Sequence, residues 1–93
     1  MQNEETFTQV TFHYQSGETE SFDIPVTPEA LQLQLQGLLN QPWLTLHLFD
    51  STVIIRTAKV VKIQVKPPLP EIQGDGIFTD AQRVTPLTHG AKL

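Results

Sequence analysis

The stretch VTPEALQLQLQGLLNQPW, residues 26–43, decides whether the chain is all-β or mixed. Leucine and glutamine alternate from Leu31 to Gln36, which is typical of a half-buried strand. A helical spacing of i, i+4, i+7 and i+8 instead joins Leu31, Leu35, Leu38 and Leu39. Leucine and glutamine also form helices more readily than strands. The stretch therefore predicts a helix over residues 28–39.

Both ends of this predicted helix carry residues that start or stop helices. Thr27 stands at the N-cap position, where its hydroxyl can accept a backbone N–H. Pro28 suits the first helical position, and Glu29 lies near the positive end of the helix dipole. Asn40 and Pro42 follow the last leucine and predict the end of the helix.

Two alternating segments precede the helix and three apolar segments follow it. FTQVTFHY and ETESFDI are joined by QSG, in which Gly17 can adopt the positive φ of a tight hairpin. WLTLHLF, TVII and VVKIQVK complete the set, with Asp50 and Ser51 as a turn. This order predicts an α+β fold, with an antiparallel four- to five-stranded sheet in ββαβββ order, one helix on one face and an irregular C-terminal tail.

Alternation along the strands predicts which side chains face the core. The inward positions are Val10, Phe12, Phe22, Ile24, Leu44, Leu46, Leu48, Val61, Ile63 and Val65. The predicted elements all fall within residues 1–66, which we interpret as a small α+β domain. Prolines cannot donate to a strand ladder, so residues 67–70 are predicted to be a proline spacer. Residues 71–93, rich in glycine and proline, are predicted to be a disordered tail, mobile alone or ordered by a partner.

The charges are divided unevenly along the chain. Residues 1–55 hold seven acids and no lysine or arginine, whereas residues 56–66 hold four bases and no acid. The chain has no cysteine, which excludes disulfides, thiolate metal sites and cysteine nucleophiles. MQNEET lacks the basic and apolar regions of a secretory signal, and no apolar run approaches the roughly 18 residues of a spanning helix. We therefore expect a cytoplasmic location and no membrane span.

Aromatic residues concentrate on one predicted strand face. The outward positions after the helix are Trp43, Thr45, His47 and Phe49, and Phe7 and His13 would lie on the same side. A large exposed apolar patch usually marks an interface, although Trp43 and Phe49 would alternatively plug the core at strand ends. We predict Trp43, His47 and Phe49 as partner-binding residues.

The tail adds further candidates because it is more apolar than a flexible spacer. Ile77, Phe78, Val84 and Leu87 recur among its polar residues. Burying four such side chains does not offset the cost of ordering the whole tail, so a partner would have to supply surface. Ile77, Phe78 and Arg83 complete the predicted partner-binding set.

A second candidate surface is basic. Arg56, Lys59, Lys62 and Lys66 are alternative phosphate contacts, with Lys62 and Lys66 on one strand face. The chain as a whole carries a net charge of −4, so nucleic acid is not the expected partner. A solvated strand face, or a charge partner within the chain for its acidic first half, is the simpler interpretation.

No motif indicates catalysis or metal binding. His13, His47 and His89 lack metal-site spacing, and GDGIFT resembles calcium and phosphate loops only superficially. The sequence has no recognisable Ser-His-Asp order, paired carboxylates or cofactor fingerprint. We expect no metal, no cofactor and no enzymatic activity.

Two segments, TVIIRTAKVVKIQVKPPLP (52–70) and FTDAQRVTPLT (78–88), resemble a family of short uncharacterised cyanobacterial proteins with a β-rich domain and a similar tail. The resemblance extends over most of the chain from Phe7. It implies a bacterial cytoplasmic protein, and it implies no activity, cofactor or catalytic residue.

The combined features favour a non-enzymatic protein-binding or assembly module that acts through the aromatic sheet face and the tail. A protein partner or self-association is expected. The alternatives are a weak nucleic-acid or phosphate-ligand binder that uses the basic strand patch, and a small accessory subunit of a larger complex.

Overall fold

The computed structural model describes residues 6–70 and 73–84, and it has one α-helix and five strands in the predicted order. The elements are β1 (Thr8–Tyr14), β2 (Thr19–Ile24), α1 (Pro28–Leu39), β3 (Trp43–His47), β4 (Thr52–Arg56) and β5 (Val60–Lys66). A short 3-10 turn, Thr57–Lys59, joins β4 to β5. The α+β class and the ββαβββ order are confirmed.

The strands are divided between two antiparallel sheets. β1 lies at the centre of a three-stranded sheet with β2 on one side and β5 on the other. β3 and β4 form a separate two-stranded sheet. The division arises because β5 pairs with β1 instead of continuing from β4, after the 3-10 turn has redirected the chain.

The local signals of the sequence act as expected around β1, β2 and α1. Gly17 has a φ of 99° in the turn between β1 and β2. The Ala30 N–H donates to the Thr27 hydroxyl at 3.0 Å, and Pro28 occupies the first turn of α1. Asn40 is the C-cap. These contacts explain why α1 begins and ends where it does.

The core lies between the inner faces of the two sheets and α1. Its buried members come from four elements and are Val10, Phe12, Leu31, Leu44 and Ile55. Half-buried apolar residues surround them, including Phe22, Ile24, Leu46, Ile63 and Val65. The predicted inward alternation is therefore confirmed for most strand positions.

Three positions predicted to be inward or on the helix core face are exposed instead. Val61 lies where the pairing of β5 with β1 shifts register, so the strict alternation is lost there. Leu48 follows the last residue of β3, and Leu39 is the last residue of α1. Packing ends at these places because the elements end or bulge.

The packing of α1 against the sheets is incomplete. An almost wholly apolar cavity of about 90 Å³ lies between α1, β3 and the three-stranded sheet. Leu35 and Leu38 of α1 and Leu44 and Leu46 of β3 are among its walls. α1 is thus anchored mainly by Leu31, which is 5% exposed.

The described part of the tail, residues 73–84, contains no helix or strand. Gly74 accepts a hydrogen bond from the Ile77 N–H at 3.2 Å, which closes a turn. The predicted anchor Leu87 lies outside the described residues. Within the part of the chain that the structure describes, no helix is both long and apolar enough to cross a bilayer.

Unequal burial of the leucines on α1 leads to a stability prediction. We expect Leu31→Ala to lower the free energy of unfolding by about 2–5 kcal/mol, since it removes a buried side chain. Leu35→Ala should cost less because Leu35 is half-buried beside the cavity.

Urea denaturation of the variants provides the measurement. Leu33→Ala is the matched control, because Leu33 is 87% exposed and its truncation should change stability by less than about 0.5 kcal/mol. An equal loss for Leu31→Ala and Leu33→Ala would contradict the assignment of the helix face.

Candidate functional site

The sheet formed by β3 and β4 has an outer face that points away from the core. Its cross-strand rows are Trp43 with Arg56, Thr45 with Ile54, and His47 with Thr52, and we call these residues the outer hairpin face. All of them are exposed. Trp43 is 53% exposed and Ile54 is 59% exposed, so this face presents two large apolar side chains to solvent.

Contacts across the strands hold the polar members of this face. The Arg56 guanidinium lies 5.5 Å from the centre of the Trp43 ring, which is within cation–π range. The His47 Nδ1 and the Thr52 Oγ1 are 3.2 Å apart and share a hydrogen bond. Trp43 and Arg56 therefore form one preassembled amphipathic unit at the base of the hairpin.

Phe49 and Ile54 show where sequence reasoning was inaccurate. Strand alternation predicts that Phe49 lies on the strand face, but it lies beyond the end of β3 in the hairpin turn and is fully exposed. Ile54 was not a candidate, although it is opposite Thr45 in the register. Pairing the two strands about Phe49 and Asp50, the two residues between the bonded Leu48 and Ser51, would have identified it from the sequence.

The aromatic face does not extend to β1. Phe7 precedes β1 and His13 belongs to it, so neither shares a sheet with Trp43. The outer face of the three-stranded sheet is polar, with Gln9, Thr11, His13, Ser21, Asp23, Lys62, Gln64 and Lys66. The candidate apolar surface is confined to the smaller sheet.

The four basic residues lie on different parts of the molecule. Lys62 and Lys66 share the polar outer face with Asp23, two strands away. Lys59 lies in the 3-10 turn, where its Nζ is 3.5 Å from the Gln15 Oε1. Arg56 belongs to the outer hairpin face. The structure therefore does not bring them together as one phosphate-binding surface.

The tail candidates border a groove along α1. Ile77 and Phe78 line an open space of about 630 Å³ whose opposite wall includes Leu35 and Leu39 of α1. Phe78 is largely exposed at its edge. Arg83 is exposed and does not line this groove. The tail therefore forms a second apolar surface, separate from the outer hairpin face in its lining residues.

The hydroxyl of Tyr14 on β1 lies beside a carboxylate of β2. Its hydroxyl donates to the Glu20 carboxylate at 2.6 Å. Desolvation is the largest cause that raises the pKa of Tyr14, followed by the hydrogen bond to Glu20 and the negative charge of that residue. A neutral phenol that is stabilised in this way is a structural link between β1 and β2.

Metal-binding geometry is not present within residues 6–70 and 73–84, where no group of three or more histidines and carboxylates comes together. His13 is on the three-stranded sheet and His47 is on the smaller sheet. His89 lies outside the described residues.

No family model matches this chain, and comparison with curated proteins and with solved structures found no similar protein. The resemblance to short cyanobacterial proteins stays a prediction.

Because the four basic residues lie on different parts of the molecule, we expect only weak binding of nucleic acid. Titration with single-stranded and duplex oligonucleotides near physiological salt should show affinity no tighter than about 1 µM, independent of sequence. The comparison variant changes Lys62 and Lys66 to glutamine. Tight wild-type binding that this double variant abolishes would contradict the prediction.

The raised pKa of Tyr14 predicts that the stability of the fold changes with pH in the alkaline range. Because its folded-state pKa is raised, its contribution to stability is fully present below about pH 10, the ordinary value, and is lost as the pH rises through the folded pKa. Tyr14 is the single tyrosine, so phenolate absorbance reports it directly.

The pKa of Tyr14 is measured by absorbance titration in the folded chain and in the urea-unfolded chain. Phenolate should form at higher pH in the folded chain, and Glu20→Gln should move the folded titration to lower pH by removing the nearby charge. Superimposable folded and unfolded titrations would disprove the raised pKa.

Proposed function

We propose that this chain is a non-enzymatic protein-binding or assembly module whose principal contact surface is the outer hairpin face. The observation that carries the proposal is the exposure of Trp43 and Ile54 on a two-stranded sheet. Such a sheet is at best marginally stable by itself. Covering its apolar outer face with another surface removes that face from water and lowers the free energy.

The composition of this face supports a protein as the partner. Tryptophan and arginine are enriched among the residues that dominate the energy of protein interfaces. The stacking of Arg56 on Trp43 restrains both side chains before binding, which reduces the entropy lost when a partner orders them. Thr45, His47 and Thr52 add hydrogen-bonding groups around the two apolar side chains.

The tail groove is the second part of the proposal. Ile77 and Phe78 offer apolar surface beside α1, and Arg83 provides a charge further along the tail. A partner that contacts both surfaces would gain from two linked sites. A cytoplasmic location belongs to the same proposal and is compatible with a chain that has no cysteine.

Affinity capture from extracts of the source cells tests the function. We expect the wild-type chain to retain a reproducible set of proteins, and Trp43→Ala to lose at least one of them by about tenfold or more, as for a residue central to an interface. Gln64→Ala is the matched control, because it truncates a polar residue on the outer face of the other sheet.

Each retained protein should then bind the purified chain directly, with the same loss for Trp43→Ala, while the urea midpoints of the variants stay close to the wild type. Equal retention by the wild type and Trp43→Ala would contradict the role of the outer hairpin face.

A further inference from the structure

We propose that a second copy of this chain pairs with the first along β4, antiparallel and centred on Ile54, so that two hairpins form one four-stranded sheet. This inference rests on the proposed assembly function, and it names a second copy as the partner of the free edge of β4, which adjoins the outer hairpin face. It follows from the direction of backbone groups, the sequence of β4 and the placement of charge along the hairpin.

The backbone of β4 has a free hydrogen-bonding side. Thr57 donates to the Pro42 carbonyl at 3.1 Å and Leu48 donates to the Ser51 carbonyl at 2.7 Å. In an antiparallel pair, bonded and non-bonded rows alternate, so the rows of Thr52, Ile54 and Arg56 are non-bonded. The N–H groups of these residues point away from β3, as does the Ile54 carbonyl.

β4 is the more accessible edge of its sheet. Leu44, Thr45 and Leu46 of β3 border the apolar cavity beside α1. No residue of β4 lines that cavity. The side of β3 away from β4 therefore faces α1, whereas the other edge of β4 has no strand partner among the described residues.

Charges on the other free edges oppose pairing with a copy of themselves. β2 carries Glu20 and Asp23, and β5 carries Lys62 and Lys66 together with its register shift. Charged side chains and bulges on edge strands prevent pairing with other chains. β4 has the sequence TVIIR, which is rich in β-branched residues and has one charge, at its end.

The proposed register matches β4 to itself. With the two-fold axis at Ile54, the two Ile54 residues face each other, Val53 faces the partner's Ile55, and Thr52 faces the partner's Arg56. Apolar residues meet apolar residues, and no like charges are opposed. Every outward-pointing N–H of β4 gains a partner in this register.

Charge complementarity along the hairpin favours the antiparallel direction. Asp50 lies at the turn end, and Arg56 lies at the other end of β4. An antiparallel second copy places its Asp50 diagonally across from the first copy's Arg56, two positions beyond the facing Thr52, and the reverse pair forms by symmetry. A parallel copy would instead place the two Arg56 residues side by side.

Single cysteines test this register because the natural chain has none. In the proposed dimer, two Ile54→Cys residues have Cα atoms about 5.5 Å apart, which a disulfide spans. Thr45→Cys is the matched control on the same outer face, with its two copies separated by three strand spacings, about 14 Å. Air oxidation of the full chain should convert Ile54→Cys to covalent dimer and leave Thr45→Cys mostly monomeric.

The same oxidation in strong urea should abolish the difference between the two variants. Preferential cross-linking of Thr45→Cys would overturn the proposal in favour of a β3 interface, and equal cross-linking of both in native buffer would overturn it as random collision.

Sedimentation equilibrium gives an independent measure. The wild type should reach the mass of two chains, Ile54→Lys should reduce it to one because like charges meet at the axis, and Leu33→Lys, at an exposed position of α1, should retain two. A wild-type chain that stays monomeric over the whole concentration range would overturn the second-copy proposal. That result would not disprove the proposed function, which the Trp43→Ala capture experiment tests separately.

Discussion

The structure depends on the hydrogen bonding of β1 on both of its sides. β1 is the one strand among the described residues with two neighbours, and it contributes Val10 and Phe12 to the core. Because β2 and β5 both pair with it, the first and last strands among the described residues belong to one sheet. Among the described residues, this pairing leaves β3 and β4 with only each other, which exposes their outer face and leaves the outer edge of β4 unpaired.

The elements were predictable from the sequence because their signals are local. Thr27, Pro28 and Asn40 act on the backbone within a few residues, and the alternation of each strand follows from the pleat. The division into two sheets was not predictable in this way. It depends on whether β5 pairs with β1 or with β4, a long-range choice that strand patterns do not encode.

In the candidate site, too, local alternation was predictable from the sequence and the pairing of strands was not. Trp43 and His47 lie where alternation placed them, whereas Phe49 lies past the end of its strand and Phe7 lies outside the hairpin sheet. The contact between Arg56 and Trp43 joins two residues that the sequence alone assigns to different surfaces, one basic and one aromatic. Register therefore decides which residues share a surface, and strand assignment alone does not.

The apolar cavity beside α1 has a consequence for the volume of the folded chain. Walls of leucine, isoleucine, valine and phenylalanine side chains keep such a space dry, because water would find almost no polar partners there. Unfolding removes the void and lets water pack against its former walls, so the unfolded chain occupies less volume, typically by tens of mL/mol. Hydrostatic pressure therefore acts against the packing between α1, β3 and the three-stranded sheet, whose side chains line the cavity.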